Sequence, residues 1–305
     1  MPQHFRVLLY YNFVQVEDPV ALAEAQLAFC SWLGLKGRII VASEGINGTL
    51  SGSQEACDEY IAALRSDRRF SDTDFKVDEY DRHAFRRLSV KARDELVTFG
   101  HALHDPSRTG TYLSPVEFRE RLADPNAIIV DGRNDYEYDL GHFRGAIRPD
   151  FENFKEAPAW LSENLHDRDR PILTYCTGGI RCEKLSAFLL EQGFTNVFQL
   201  QGGIVEYGKD PAVKGDLFDG ACFVFDERIS VPINRTESAR VVGRCLHCGA
   251  PSENYINCAN VLCNQLYLCC ETCEAATDGC CCPSCQNAPA RRKKGLKLRS
   301  APSRS

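Results

Sequence analysis

The sequence predicts a multidomain chain of mixed α/β and α+β class, assembled from three parts of different character. Three observations carry that expectation. The first ninety or so residues alternate strand and helix patterns in the order βαββαβ. From Asp124 onward the rhythm becomes strand, glycine-rich cysteine loop, helix, strand, which is a βαβ unit with a loop at a strand's carboxyl end. Finally, 11 of the 16 cysteines fall within the 41 residues from Cys245 to Cys285, where apolar runs are short. A length of 305 residues accommodates these parts, and 44% apolar residues suffice for ordinary cores in the first two.

The elements follow in chain order. Phe5 to Phe13 is rich in Val, Leu, Tyr and Phe and predicts a strand. Asp18 to Leu33 has helical spacing, with Asp18 as N-cap and Pro19 in the first turn. Gly37 to Ala42 predicts a short buried strand. Glu44-Gly45-Ile46-Asn47-Gly48 reads as turn chemistry before a strand through Leu50. Ser53 caps a second helix to Leu64, and Phe75 to Tyr80 closes the set as a strand. The order is that of a ferredoxin-like domain over residues 1–92, a fold that hosts many functions. Residues 93–121 read as a connector. An α/β domain over 122–217 contains strands at Ala127 to Asp131, Pro171 to Tyr175 and Asn196 to Leu200. Its helix runs from Glu183 to Gln192 and is stopped by Gly193. A Cys-rich segment covers 218–290 and a basic tail 291–305.

Charge is unevenly distributed. The net charge is −6, but seven Lys or Arg and no acid lie beyond Gln286, leaving 29 basic against 42 acidic side chains elsewhere. Net charge therefore gives no case for nucleic-acid binding, which would need local patches. The candidates are the stretch Arg82 to Arg93, with Arg86, Arg87 and Lys91, and the tail residues Arg291, Arg292, Lys293, Lys294, Lys297 and Arg299. Phe85, inside the first patch, is a candidate for base stacking or core packing. The start, Met1 to Arg6, leads into only a short apolar run, so no export signal is expected. No stretch approaches the roughly 20 apolar residues of a membrane helix. A cytoplasmic chain is expected, with thiols kept for metal ligation or catalysis rather than for disulfides.

The chemistry concentrates at Cys176-Thr177-Gly178-Gly179-Ile180-Arg181. The following helix turns unpaired N–H groups and the positive end of its dipole toward the sulfur. Gly178 and Gly179 let the backbone fold back into a nest of N–H donors, and Arg181 adds a permanent positive charge. All three favour a thiolate and depress the Cys176 pKa. Such a cradle can also carry a terminal persulfide. A lone cysteine is usually a packing residue, but the paired glycines and the arginine at a fixed offset argue for reactivity. Cys182 directly follows Arg181 and is either a resolving thiol or an inward-packed helix residue.

These residues carry a resemblance. Val130-Asp131-Gly132-Arg133, Glu137 and Gly141 to Ile147, then the Cys176 loop, then Gly193 to Leu200 and Gly202-Gly203-Ile204, resemble a rhodanese domain over about Asp124 to Lys214. Four residues separate Cys176 from Arg181. Dual-specificity phosphatases have one more, so the shorter loop favours sulfur chemistry over phosphate. The resemblance implies supporting roles for Asp131, Arg133, Gly141 and His142. With Val41-Ala42-Ser43-Glu44-Gly45-Ile46-Asn47-Gly48-Thr49, Phe85 to Lys91 and the CxxC pairs, the chain from Phe5 to Cys285 closely resembles the bacterial tRNA uridine-34 hydroxylase family. That resemblance implies tRNA as partner and 5-hydroxylation of the wobble uridine with molecular oxygen. No flavin or nicotinamide fingerprint appears, since the glycines near Gly45 lack the strand–GxGxxG–helix context. Nor do the seven scattered histidines assemble a 2-His-1-carboxylate site.

The tail adds a metal expectation. Cys245-Leu246-His247-Cys248 and Cys270-Glu271-Thr272-Cys273 fit a four-cysteine zinc site. Cys282-Pro283-Ser284-Cys285 is a third CxxC knuckle and Cys258/Cys263 a looser pair, and eleven cysteines could supply two sites. Cys269/Cys270 and Cys280 to Cys282 offer competing ligands, so spacing leaves the pairing open, and an iron–sulfur cluster is the alternative. Two other functions compete with tRNA hydroxylation. One is a rhodanese-type sulfurtransferase that uses the same Cys176. The other is a non-enzymatic, zinc-stabilised adaptor, which would not need an arginine-closed cysteine loop.

Overall fold

In a computed structural model describing residues 4–105 and 107–291, the chain divides into two compact units, one ending at Phe99 and one beginning at Gly100. The first unit holds β1 (Phe5–Phe13), α1 (Pro19–Trp32), β2 (Lys36–Ala42), β3 (Gly45–Ser53), α2 (Gln54–Ser66), β4 (Asp74–Tyr80) and β5 (Leu88–Ala92). The sheet order is β4-β1-β3-β2-β5. Without β5 this is the ferredoxin-like arrangement expected from the element order. Alternation sends Leu8 and Tyr10 of β1, Ile39 and Val41 of β2, and Ile46 and Leu50 of β3 to one face. There they pack with Ala23 and Cys30 of α1 and with Cys57, Tyr60 and Leu64 of α2. The caps are the expected ones: the Asp18 carboxylate accepts the Ala21 N–H at 2.9 Å, and Ser53 accepts that of Ala56 at 3.3 Å.

Three local expectations change. The turn assigned to Glu44–Gly48 shrinks to Ser43-Glu44, because β3 already begins at Gly45. Gly45 has φ +140°, and a Cβ there would collide with the Asn12 carbonyl, so glycine lets the strand start flush against β1. The basic stretch is also more ordered than a loop: Leu88–Ala92 is β5, parallel to β2. Leu88, Val90 and Ala92 pack on the helical core. Alternation therefore sends Ser89 and Lys91 to the opposite face of the sheet, together with Arg38 of β2. Phe85 is 8% exposed and packs on Val7 and Ala84, so it belongs to the core and cannot serve as a stacking platform in this conformation.

The second unit is built on a parallel sheet ordered β6-β11-β10-β7-β9, with β6 (Thr111–Leu113), β7 (Ile128–Asp131), β9 (Ala146–Ile147), β10 (Ile172–Tyr175) and β11 (Val197–Leu200). β6 and α3 (Pro115–Arg121) lie in the stretch read as a connector. Around the sheet run α4 (Asp135–Leu140), α5 (Ala157–Asn164), α6 (Ile180–Glu191) and α7 (Gly203–Lys209). A smaller sheet joins β8 (Gly141–Phe143), β12 (Phe218–Phe223) and β13 (Ser230–Pro232). The Cys-rich segment forms the hairpin β14 (Tyr255–Asn257) and β15 (Leu266–Leu268), then α8 (Glu271–Ala276) and α9 (Pro283–Gln286). The tail residues Arg292, Lys293, Lys294, Lys297 and Arg299 lie outside the described residues.

Asp131 and Arg133 are both fully buried and pair at 2.7 Å, while Arg133 also donates to the Gly141 carbonyl at 2.6 Å. The ion pair thus ties the end of β7 to the start of β8. His142 stacks on Tyr138 with ring centroids 3.9 Å apart, and its Nδ1 lies 2.9 Å from the Tyr138 carbonyl. Removing one partner of a buried ion pair leaves the other charge uncompensated, at a cost of about 3–5 kcal/mol. Asp131→Ala is expected to destabilise the second unit by about that amount in denaturant unfolding. An unchanged midpoint would assign the pair no structural weight.

Candidate active site

Cys176 stands at the carboxyl end of the central strand β10 and is 1% exposed. The loop is tight because Gly179 takes φ +107° as the N-cap of α6. The helix begins at Ile180, three residues before the expected start at Glu183, which places Arg181 and Cys182 in its first turn. The Gly179 N–H donates to Cys176 Sγ at 3.1 Å, and the Arg181 N–H also points at the sulfur. The glycine-lined nest expected from Gly178 and Gly179 is therefore realised through the Gly179 amide. Thr177 and Ile180 are the half-buried members of the loop.

Arg181 is held from behind. Its Nη1 and Nη2 bind the two oxygens of Glu137 at 2.7 and 2.8 Å, and Nη2 lies 3.4 Å from Thr177 Oγ1. Glu137 is fully buried; burial alone would raise its carboxyl pKa, but the Arg181 charge and hydrogen bonds hold it below the usual carboxylate range. The sequence offered Glu137 only as one letter of a longer motif. Its role becomes visible once α4 brings it against α6.

Cys182 is fully buried, and its thiol hydrogen-bonds Cys176 Sγ. Burial alone would raise the Cys176 pKa. The Cys182 thiol, the Arg181 charge and the Gly179 and Arg181 amides outweigh it and bring Cys176 down to about 6. Burial and the neighbouring Cys176 push Cys182 up, so at neutral pH one sulfur is an anion and the other its donor. Cys222 of β12 is a third buried cysteine here, hydrogen-bonded to the Thr177 side chain and raised to about 11 by burial. It lay outside the recognisable motifs.

The far side of the loop is clamped by α7. The Ile204 and Val205 N–H groups donate to the Cys176 and Thr177 carbonyls at 3.0 and 3.1 Å. Gly203 has φ +68°, and a Cβ there would lie 2.7 Å from both carbonyl oxygens. The Gly202-Gly203-Ile204 motif thus exists to let one backbone approach another.

Arg86, Arg87 and Lys91, the RNA-contact candidates, are exposed in the first unit. Lys91 lies on the same sheet face as Arg38, which no motif had marked. Cys245, Cys248, Cys270 and Cys273 come together as expected, with their four sulfurs within 4.8 Å of one another. Four converging thiols without carboxylate or imidazole suit a soft, tetrahedral ion such as zinc. The hairpin beside them sits on α4: the Tyr255 hydroxyl donates to the Tyr136 carbonyl at 2.6 Å, and Tyr255 and Leu268 pack with Leu140.

Family models match three stretches of the chain. Residues 5–96 match the UPF0176 acylphosphatase like domain, 114–210 the rhodanese-like domain, and 219–286 the rhodanase C-terminal domain. A tRNA uridine(34) hydroxylase of Bacillus licheniformis is 54% identical over 274 residues, covering 89% of this chain and 85% of that protein. One from Lactococcus lactis is 50% identical over 297 residues, covering 96% and 92%. Among solved structures, the rhodanese-like domain of an Anabaena protein is 24% identical, covers 36% of this chain and 78% of that one, and has a TM-score of 0.30.

The thiolate is expected to be titratable. Alkylation of Cys176 by iodoacetamide, followed by peptide mass spectrometry, should rise through a midpoint near pH 6, not in the ordinary thiol range. Arg181→Met should raise that midpoint by about 1–3 units. A midpoint near 8.5 in the parent protein would contradict the geometry. Gly203→Ala should push the loop aside and slow the same reaction.

Proposed function

The chain belongs to the tRNA uridine(34) hydroxylase family, and from that membership we propose that it hydroxylates C5 of the wobble uridine of tRNA, with Cys176 as the reactive group. The observation that carries this reading is a buried sulfur whose pKa is lowered to about 6 within a match to the family that spans about nine-tenths or more of the chain. Addition of the Cys176 thiolate, or of a persulfide it carries, to C6 of the uracil breaks the C5=C6 bond and makes C5 electron-rich. Dioxygen is the oxidant that the family resemblance implies. One of its atoms becomes the hydroxyl and the other leaves as water, with two electrons from a thiol reductant. Loss of the C5 proton and expulsion of the sulfur as a thiolate from C6 then restore the C5=C6 double bond. Cys182, hydrogen-bonded to Cys176, is the nearest thiol able to resolve an oxidised Cys176.

Wobble bases sit in a single-stranded loop, where a base can be turned out for chemistry. Arg86, Arg87 and Lys91 are assigned to the tRNA backbone, joined by the basic tail. Zinc is assigned to Cys245, Cys248, Cys270 and Cys273, where it would stabilise the fold and take no part in hydroxylation. Among the described residues, no helix is long and apolar enough to cross a membrane, and the substrate assigns the protein to the cytoplasm.

The direct check is mass spectrometry of tRNA nucleosides from cells that lack the gene and carry either the parent or the Cys176→Ala form. The parent should restore 5-hydroxyuridine derivatives and the variant should not. Restoration by both would remove Cys176 from the reaction, and unchanged derivatives on gene loss would leave the sulfurtransferase reading. Separately, Arg87→Ala with Lys91→Ala should weaken tRNA binding and lower the slope of log K against log salt by about 1–2. An unchanged slope would take those residues off the tRNA.

A further inference from the structure

We propose that the Cys-rich module holds a second zinc ion, on Cys258, Cys263, Cys281 and Cys285, interleaved with the first. The four sulfurs lie within 4.8 Å of one another, as in the first set. Their spacing is diagnostic. Cys263 and Cys281 are 3.7 Å apart and Cys281 and Cys285 3.8 Å, matching the 3.7 Å between Cys248 and Cys270 of the first set. A tetrahedron with sulfurs at the zinc–thiolate distance of about 2.3 Å has edges of about 3.8 Å. A disulfide would bring two sulfurs to about 2.05 Å. A polynuclear iron–sulfur cluster, with metal and sulfide between its cysteines, would hold them much further apart. The geometry is that of one ion at the centre of each group.

Local donors repeat between the two sites. The His247, Cys248 and Cys270 amides point at Cys245, while those of Asn260 and Cys281 point at Cys258. The Asn260 side chain also donates to Cys285 Sγ at 3.4 Å. Such N–H···S contacts are what a metal-bound thiolate, rich in negative charge, accepts. The remaining cysteines of the module stand outside both groups of four. Cys269 donates to the Cys270 carbonyl, Cys280 lies 4.0 Å from the Asp278 carbonyl, and Cys282 pairs with the Ser284 hydroxyl at 3.0 Å. Within the triplet Cys282 Sγ lies 3.9 Å from Cys281 Sγ, but of the three only Cys281 joins Cys258, Cys263 and Cys285 within 4.8 Å, so Cys281 is the ligand and the Cys282-Pro283-Ser284-Cys285 motif contributes only its last residue.

The order of ligands gives the module its logic. Pairs one and three, Cys245/Cys248 and Cys270/Cys273, make the first site, and pairs two and four, Cys258/Cys263 and Cys281/Cys285, make the second. Each ion therefore closes a loop that contains a pair belonging to the other. The buried cluster between them is five cysteines and Tyr267, with no Leu, Ile, Val or Phe among its buried members. Two crossed ions would supply the cohesion that such a core lacks.

Zinc analysis of the purified full-length protein tests this without reference to tRNA, so its result is independent of the hydroxylase reading. Two ions per chain are expected; one or none would overturn the proposal, as would acid-labile sulfide. Metal-free protein titrated with Co2+ should develop thiolate-to-cobalt absorption that saturates at two equivalents. Cys282→Ser should keep both ions, and fewer would count against the ligand assignment. Cys281→Ser should keep one or none, and retention of two would overturn it.

Discussion

The second unit is organised around one constraint: a sulfur anion must persist where almost no water reaches it. Burial by itself opposes that charge. The opposition is met from three directions, by the amides that open α6, by the Cys182 thiol and by the Arg181 guanidinium. Arg181 can serve only if its own charge is fixed in place. Glu137 does this with two short hydrogen bonds from inside the protein. The thiolate therefore depends on a carboxylate 39 positions upstream, on a different helix.

Much of the surrounding fold acts on that helix or on the loop. α4 carries Glu137, and its neighbour Tyr136 receives the Tyr255 hydroxyl from the hairpin of the Cys-rich module. Asp131 and Arg133 fix the strand end just before α4 and tie it to Gly141 just after. On the other side, α7 binds the loop carbonyls through a contact that only Gly203 permits. The Cys-rich module therefore sits against the helix that carries Glu137. A zinc ion held there would brace that helix while standing apart from the proposed reaction.

The reactive loop was legible in the sequence because its chemistry is local. A cysteine, two glycines and an arginine within six residues specify a strand end, a backbone reversal and a helix start. The caps at Asp18 and Ser53 were legible for the same reason. What sequence could not supply were long-range meetings: Glu137 with Arg181 and Cys222 with Thr177. The strand within the basic stretch was not singled out because its charges hide a period-two pattern, Leu88, Val90 and Ala92 inward with Ser89 and Lys91 outward. The helix start was placed late because Gly179, a poor helix former, was counted as loop when it is the cap. Spacing anticipated that Cys245, Cys248, Cys270 and Cys273 meet, while the triplet Cys280 to Cys282 needed three dimensions to show which sulfur joins Cys258, Cys263 and Cys285.

The central claim is that Cys176 sulfur bonds C6 of the wobble uracil. A tRNA carrying 5-fluorouridine at position 34 tests it directly, because addition at C6 followed by reaction at C5 leaves fluorine where a proton would depart. Incubation with the protein under dioxygen and a thiol reductant, denaturing electrophoresis and peptide mass spectrometry would locate any adduct. The account requires a covalent complex attached through Cys176 and absent from Cys176→Ala. A complex through another residue, or turnover of the unmodified tRNA by Cys176→Ala, would contradict it.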